Sequence, residues 1–550
     1  MRNLVLSAAL TVLVASPAIA ADPPINASRV MADIKVLSSD AYEGRGPATP
    51  GETKTVAYLI AQMKAAGLQP AGDRLKSGAR SWTQDVPLVR SVTKGPVTVS
   101  VSMGGKTTAW TQGSEIAIRA TLIGKALNVK AAPVVFVGYG ITAPERNWDD
   151  FKGMDLKGKV ALVLVNDPDF ETGTGDFGGK AMTYYGRWTY KFEEAARRGA
   201  IGFLVIHETA PASYGWATVK NSNTDGIFDV IRKDPSKAHA PLEGWVQRDA
   251  AAAMIAAAGL DFETLKKQAQ SRDFRPTELK GVTFSAAYAV DAATVVSKNV
   301  VGVVTGSKFP GERVFYTAHW DHLGVGLADA KGDKIYNGAH DNASGTAMLL
   351  ELARQTTRAP RSQRSVVFLA VTAEEKGLLG SAYYASNPLY PLATTVGVLN
   401  MDGFGLLGPA RDFSTSGDVP QTLQDLLIDV GKAHDRYYTA DPRSADGVFF
   451  RSDHFSFAKV GVPAISFNAG QDLFVGGRAA GEAKQRAYTA DRYHQPADEF
   501  DPNWDPKGFV TDGTLLFELG QKLANSRVWP EWKAGAEFKA ERDKTAAMRR

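Results

Sequence analysis

Apolar positions along this chain switch repeatedly between two spacings, and the switches predict its elements. Continuous apolar runs of five to eight residues read as buried strands, and apolar positions recurring every three to four residues read as helices. After Val300–Val304 and Arg313–Ala318, a helical run Thr346–Thr357 leads to strand Ser365–Val371. Helix Leu378–Ser386, strand Val396–Met401, helix Gln421–His434, strand Pro463–Phe467 and helix Thr511–Asn525 follow. Strands separated by helix-length gaps predict an α/β domain whose mostly parallel central sheet is flanked by helices.

The first half reads differently. Val30, Ile34 and Leu37 predict a short helix, and Val56, Leu59, Ile60 and Met63 mark one face of another, Glu52–Ala66, stopped by Gly67. Between them lies the polar, glycine-rich loop Leu37–Pro47. Residues 82–121 read as strands with turns at Lys94–Gly95 and Gly104–Gly105. Beyond them come an apolar run from Ala131 to Ile141, strand Leu156–Val165, helix Tyr190–Arg198 ended by Gly199, and strand Ile201–Ile206. Helices Ala250–Ala258 and Asp261–Gln270 close a smaller α/β unit.

Length changes the picture first, because 550 residues exceed one ordinary core and call for two or three domains. A formal net charge of +4, spread along the chain, makes no case for nucleic acid or an anionic membrane as partner. Arg2, the apolar Leu4–Val14 and the small residues Ala18-Ile19-Ala20 predict a signal peptide over residues 1–20. That apolar run falls short of the roughly 20 residues that span a bilayer, so an exported, periplasmic or secreted protein with no membrane span is expected. The chain has no cysteine, which excludes disulfides, thiol nucleophiles and cysteine metal sites. Any metal must be held by histidines and carboxylates.

Such residues gather at predicted strand ends, where ligands collect in α/β sheets. Strand Arg313–Ala318 ends in His319-Trp320-Asp321-His322, and Gly338–Gly345, containing Asp341, opens the next helix. Strand Ser365–Val371 runs into Glu374-Glu375, strand Val396–Met401 into Asp402, and a late loop carries Tyr493-His494. Two histidines, three carboxylates and one adjacent glutamate form an inventory for two divalent cations sharing a carboxylate. Neighbouring side chains in extended backbone point apart, so one of Glu374 and Glu375 can hold metal while the other takes a proton from water.

These segments resemble, in order, the motifs of the co-catalytic di-zinc aminopeptidases, metallopeptidase family twenty-eight, which includes aminopeptidase Y and has glutamate carboxypeptidase II and the transferrin receptor as relatives. They are His319-Trp320-Asp321, Asp341–Gly345, Glu374–Ser381, Asn400-Met401-Asp402 and Tyr493–Asp498. The resemblance implies a metallopeptidase with two zinc ions, in which Asp341 bridges both. His319 and Asp402 complete one site, and Glu375 and His494 the other. Glu374 becomes the general base toward a water held between the two ions. Asp321 becomes the residue that orients His319, and Tyr493 a candidate for steadying the oxyanion. His322, His340 and His434 are read as structural, and Ser452-Asp453-His454 is given no ligand role.

Val137–Ile141 and Leu156–Val160 resemble an inserted protease-associated domain. The expected division is 1–20 signal peptide, 21–122 N-terminal part of the peptidase domain, 123–277 insertion, 278–530 main peptidase domain and 531–550 charged tail. The expected function is an exported zinc exopeptidase acting on peptides, most simply an aminopeptidase. A carboxypeptidase-type or dipeptidase relative is the alternative, and arginines such as Arg45 or Arg451 would then read a carboxylate. An inactive receptor-like relative is disfavoured because all five ligand positions and the base are present, and a single-zinc glutaminyl cyclase would differ in metal count. Gly403–Gly408 spells GxGxxG, but Pro409 and the polar run after it offer no helix for a dinucleotide. Oligomeric state and side-chain specificity stay open.

Overall fold

The computed structural model describes residues 25–549 apart from residue 225. The signal-peptide expectation therefore lies outside the described residues. Five strands form the heart of the larger lobe, in the spatial order Ala464–Ala469, Thr395–Met401, Phe309–His319, Arg364–Val371 and Thr277–Val304. The first four pair in parallel, and the fifth joins antiparallel, with Val300 opposite Ala370.

The near-continuous apolar sequence of these strands follows from burial on both faces. Val366, Phe368 and Ala370 face one core, with Leu349 and Leu352 of helix Gly345–Arg358 and Leu516 and Leu519 of helix Lys507–Asn525. Val367, Leu369 and Val371 face the other, with Tyr384 and Phe457. The early helices Ala27–Leu37 and Pro50–Ala65 add Val30, Ile34, Leu59 and Met63 to the first core.

The expected strand Val300–Val304 is the end of one strand of 28 residues, Thr277–Val304. Its far end pairs with Ala126–Phe136, and its length pairs with Thr83–Met103. The sheet then continues in parallel through Val160–Leu164, Gly202–His207 and Leu242–Gln247, which form a second lobe. The core of this lobe also takes in Val99, Val101, Trp110, Ile116 and Ile118, and on the other side Val282–Val290. Residues on both flanks of the expected 123–277 insertion thus pack with it, because the two long strands run through both lobes.

Helix Gly477–Asp491 has no counterpart in the sequence reading. It buries only Gly481 and Tyr488, so no apolar stripe announces it. The charged tail carries a short, mostly exposed helix and is anchored by a few buried side chains. Trp532 and Phe538 are buried against Phe449 and Phe455, and Arg542 is buried beside them on the short helix Lys539–Asp543. Among the described residues no helix is long and apolar enough to cross a membrane.

Candidate metal centre

Register explains why distant residues meet. Thr317 lies opposite Asn400 and His319 opposite Val371, so His319, Glu374 and Asp402 leave the sheet at one carboxyl edge. The Thr317 hydroxyl donates to Asn400 Oδ1 at 2.7 Å, and Asn400 Nδ2 donates to Ser452 at 2.8 Å, which fixes the strand beneath Asp402.

Asp341 reaches this edge on the wide turn Ala339–Ser344 that opens the buried helix Gly345–Arg358. Asp498 accepts the backbone N–H groups of His340 at 3.1 Å and Asp341 at 3.0 Å, with the Tyr488 hydroxyl at 3.2 Å. Asn342 Oδ1 accepts from Gly345 and Gly403 at 3.0 and 3.1 Å, while its Nδ2 donates to the Met401 carbonyl, tying the turn to the Asp402 loop. Gly338 has a φ of +53°, and a Cβ there would lie 2.2 Å from the Asp341 carbonyl oxygen. A glycine is required at that position.

Arg45 comes from the loop after the first helix and is 1% exposed. Its guanidinium donates to the carbonyls of Trp320, Leu37, Asn337 and Gly338 at 2.6–2.9 Å, so it clamps both site loops from behind. Burial pushes it down to about 10. With four of its five N–H donors engaged and almost no exposure, this group is not placed to read a substrate carboxylate.

The five expected ligands and Glu374 converge. His319 Nε2 stands 3.1 Å from Asp402 Oδ1 and 3.3 Å from Asp341 Oδ1. His494 Nε2 stands 3.2 Å from Asp341 Oδ2 and 3.2 Å from Glu375 Oε2. Asp341 thus offers one oxygen to each histidine, the placement of a shared carboxylate. Ligand atoms of His319, Glu374 and Asp402 lie within 4.8 Å of one another, as do those of His322, Asp341 and Glu375. Glu374 therefore faces the first group and Glu375 the second.

Asp321 holds His319, though chiefly through its backbone. Its carbonyl is 3.1 Å from His319 Nδ1, whereas its carboxylate stands 3.9 Å away and accepts the Glu374 N–H at 3.1 Å. Tyr493 lies on the rim, 45% exposed, and stacks on His494 with ring centres 3.9 Å apart.

Four carboxylates in one buried cluster demand positive charge. Burial pushes Glu374 well above the ordinary carboxylate range, with Asp402, Glu375 and Asp453 adding to the effect against His319. Burial opposes charge on His319, yet Asp402, Glu374 and Asp341 outweigh it and hold the imidazolium well above its ordinary value. Divalent cations are one source of that positive charge. The residues fit that group. Two ligand atoms about 2.0 Å from one ion at the tetrahedral angle lie about 3.3 Å apart, close to the separations here.

Two fully buried neighbours, His322 read as structural and Asp453 given no ligand role, also stand at the site. His322 Nδ1 stands 2.6 Å from Glu375 Oε1. Asp453 has no aligned hydrogen bond to either carboxylate oxygen, and burial pushes it up to about 7. His322 lies three residues from His319 and had that one signal; Asp453 had only its place in a motif.

The sequence profile of peptidase family M28 matches residues 299–516, the stretch that carries every one of the expected ligands. The chain carries a peptidase family M28 domain. A probable zinc metalloprotease of Pyricularia oryzae is 28% identical over 235 residues, 40% of this chain and 45% of that protein. Aminopeptidase Y of Saccharomyces cerevisiae is 31% identical over 224 residues, 38% of each chain. The chain spans less than half the length of these curated relatives. Among solved structures, an aminopeptidase from Aneurinibacillus sp. strain AM-1 superposes with a TM-score of 0.51 at 21% identity, covering 91% of this chain and 95% of that one. That likeness extends the shared fold beyond the M28 domain to both lobes.

Proposed function

We propose that this protein is a zinc-dependent exopeptidase, most simply an aminopeptidase, with two metal sites that share Asp341. The observation that carries the reading is Asp341 reaching His319 with one oxygen and His494 with the other, at 3.3 and 3.2 Å. His319 and Asp402 would hold one ion with it, and Glu375 and His494 the other. Bound zinc would lower the pKa of water and polarise the scissile carbonyl.

The remaining steps belong to the chain. Glu374, beside the first site and not needed as a ligand, takes the proton of the attacking water. It returns that proton to the leaving amine, because an amide anion is too poor a leaving group to depart unaided. Asp321 keeps His319 turned so that Nε2 faces the site. Tyr493 on the rim donates to the oxyanion. The second lobe, read as a protease-associated domain, limits substrate length, and the apolar N-terminus directs export.

A second reading, a carboxylate-reading peptidase, draws on Arg451 and Arg187. Neither has a carboxylate within ion-pair distance among the described residues, and both keep an unpartnered Nε where the lobes meet. Arg451 donates only to Ser213, at 2.6 Å. The test is hydrolysis by the zinc-loaded protein of aminoacyl anilides against N-blocked dipeptides. Cleavage of the anilides supports the aminopeptidase, and cleavage of blocked dipeptides alone selects the second reading. No hydrolysis of either set would count against both.

A further inference from the structure

His322 has no part in the mechanism above, yet it is fully buried against the second half of the site. Its Nδ1 lies 2.6 Å from Glu375 Oε1, the oxygen that faces away from His494. The contact lacks the alignment of a hydrogen bond, and among the described residues neither ring nitrogen nor Glu375 Oε1 has another hydrogen-bond partner. An orphaned buried carboxylate oxygen beside an orphaned imidazole costs more than either group paired.

The surroundings leave the ring little freedom. A Cβ on Gly338 would sit 2.6 Å from the His322 ring, so the absence of a side chain there is what admits it. The ring also meets that of His494 edge-on, with centres 5.7 Å apart and planes at 71°. One imidazole therefore touches a ligand carboxylate, a ligand histidine and the loop that presents the shared aspartate.

We infer that His322 is a positioning residue for the second metal site, donating from Nδ1–H to Glu375 Oε1 so that Glu375 binds metal through Oε2 alone. This rests on the two-metal reading. A neutral imidazole protonated at Nδ1 supplies the donor that Oε1 lacks, and a slight turn of either group aligns the bond. With Oε1 so engaged, Glu375 cannot chelate with both oxygens, and a coordination position stays free for water or substrate. Partners of this kind tune metal affinity by 10–100-fold in other sites.

The test is zinc affinity, measured by competition with a chromophoric chelator on metal-free protein, for wild type and the variants His322→Phe, His322→Asn and His322→Gln. Asparagine can place an amide N–H near the Nδ1 position, and glutamine places it near Nε2. The expected result is a weaker-site affinity lowered about 10–100-fold in the Phe and Gln variants and held within about threefold in the Asn variant. The metal-free melting temperature should differ little among the three, since a merely structural role would lower it. A folded Phe variant with wild-type affinity, or Asn and Gln variants that lose affinity alike, overturns the inference. Should the Phe variant fail to fold, the Asn and Gln pair decides. Wild type that binds fewer than two zinc ions sinks the two-metal reading itself, whereas two tight sites in wild type and in every variant sink only the role of His322.

Discussion

At the scale of single residues, two adjacent glutamates face different halves of the cluster, and the backbone turns just before them. Ala373 sits at a φ of +53°, directly before the pair, and Glu374 then faces His319 and Asp402 while Glu375 faces His494 and Asp341. Burial would push Glu375 up, but His494 and His322 hold it below the ordinary carboxylate range, as suits a ligand. Glu374 is displaced the other way. Glu374→Gln should keep both zinc ions and lower turnover by roughly 10² or more, the scale of a lost general base. Glu375→Gln should lose one zinc, since a neutral amide is a poorer ligand. Metal content and turnover measured on each variant check this, and the reverse pattern would exchange the two roles.

At the scale of elements, the strands of the M28 domain and the helices between them were legible, because two-sided burial writes continuous apolar runs and one-sided burial writes a stripe. The five proposed ligands and the proposed base were legible for a different reason. His319, Glu374, Glu375 and Asp402 follow recognisable strands and Asp341 opens a recognisable helix, whereas His494 was legible only because its segment, like the others, matches a known motif. What the sequence hid were contacts made across long separations. Arg45 reads as a polar loop residue and is in fact the clamp behind both site loops. Helix Gly477–Asp491 buries too few apolar residues to be seen.

The loop between strands Ile227–Val230 and Leu242–Gln247 shows the same effect. His239 is pinned there between Asp229 and Glu243, 2.9 Å from each, with Arg232 on Asp229 and Arg119 at 3.5 Å from Glu243. Burial opposes its charge, but Glu243 and Asp229 outweigh burial and push it up to about 9. A folded pKa above the unfolded value of 6.5 contributes stability that is complete below about pH 6.5 and lost as pH rises through about 9. The melting temperature of wild type should therefore exceed that of His239→Gln most at pH 6 and by least above pH 9. A gap that stays constant across that range would contradict the pairing. Val230, at the end of the strand beside this network, shares a buried cluster with Ala373, which precedes Glu374.

At the scale of the whole molecule, the two lobes are one sheet, joined by strands Thr83–Met103 and Thr277–Val304, and docked again through aromatic packing. Tyr184 and Tyr190 of the second lobe meet Phe450 and Phe455, beside Asp453, and Phe538 of the tail closes the same cluster. Phe538→Ala should cost about 3–5 kcal/mol, as for other buried aromatic truncations. A frayed tail would cost nothing, so equal urea midpoints for variant and wild type would argue against this packing. The central claim is that Asp341 joins two metal sites into one centre, and metal content per chain tests it most directly. After zinc loading and removal of loose metal, wild type should hold two zinc ions, and Asp341→Ala should lose affinity at both sites together. One zinc or none in wild type, or an Asp341→Ala protein that keeps one site at full affinity, would contradict the account.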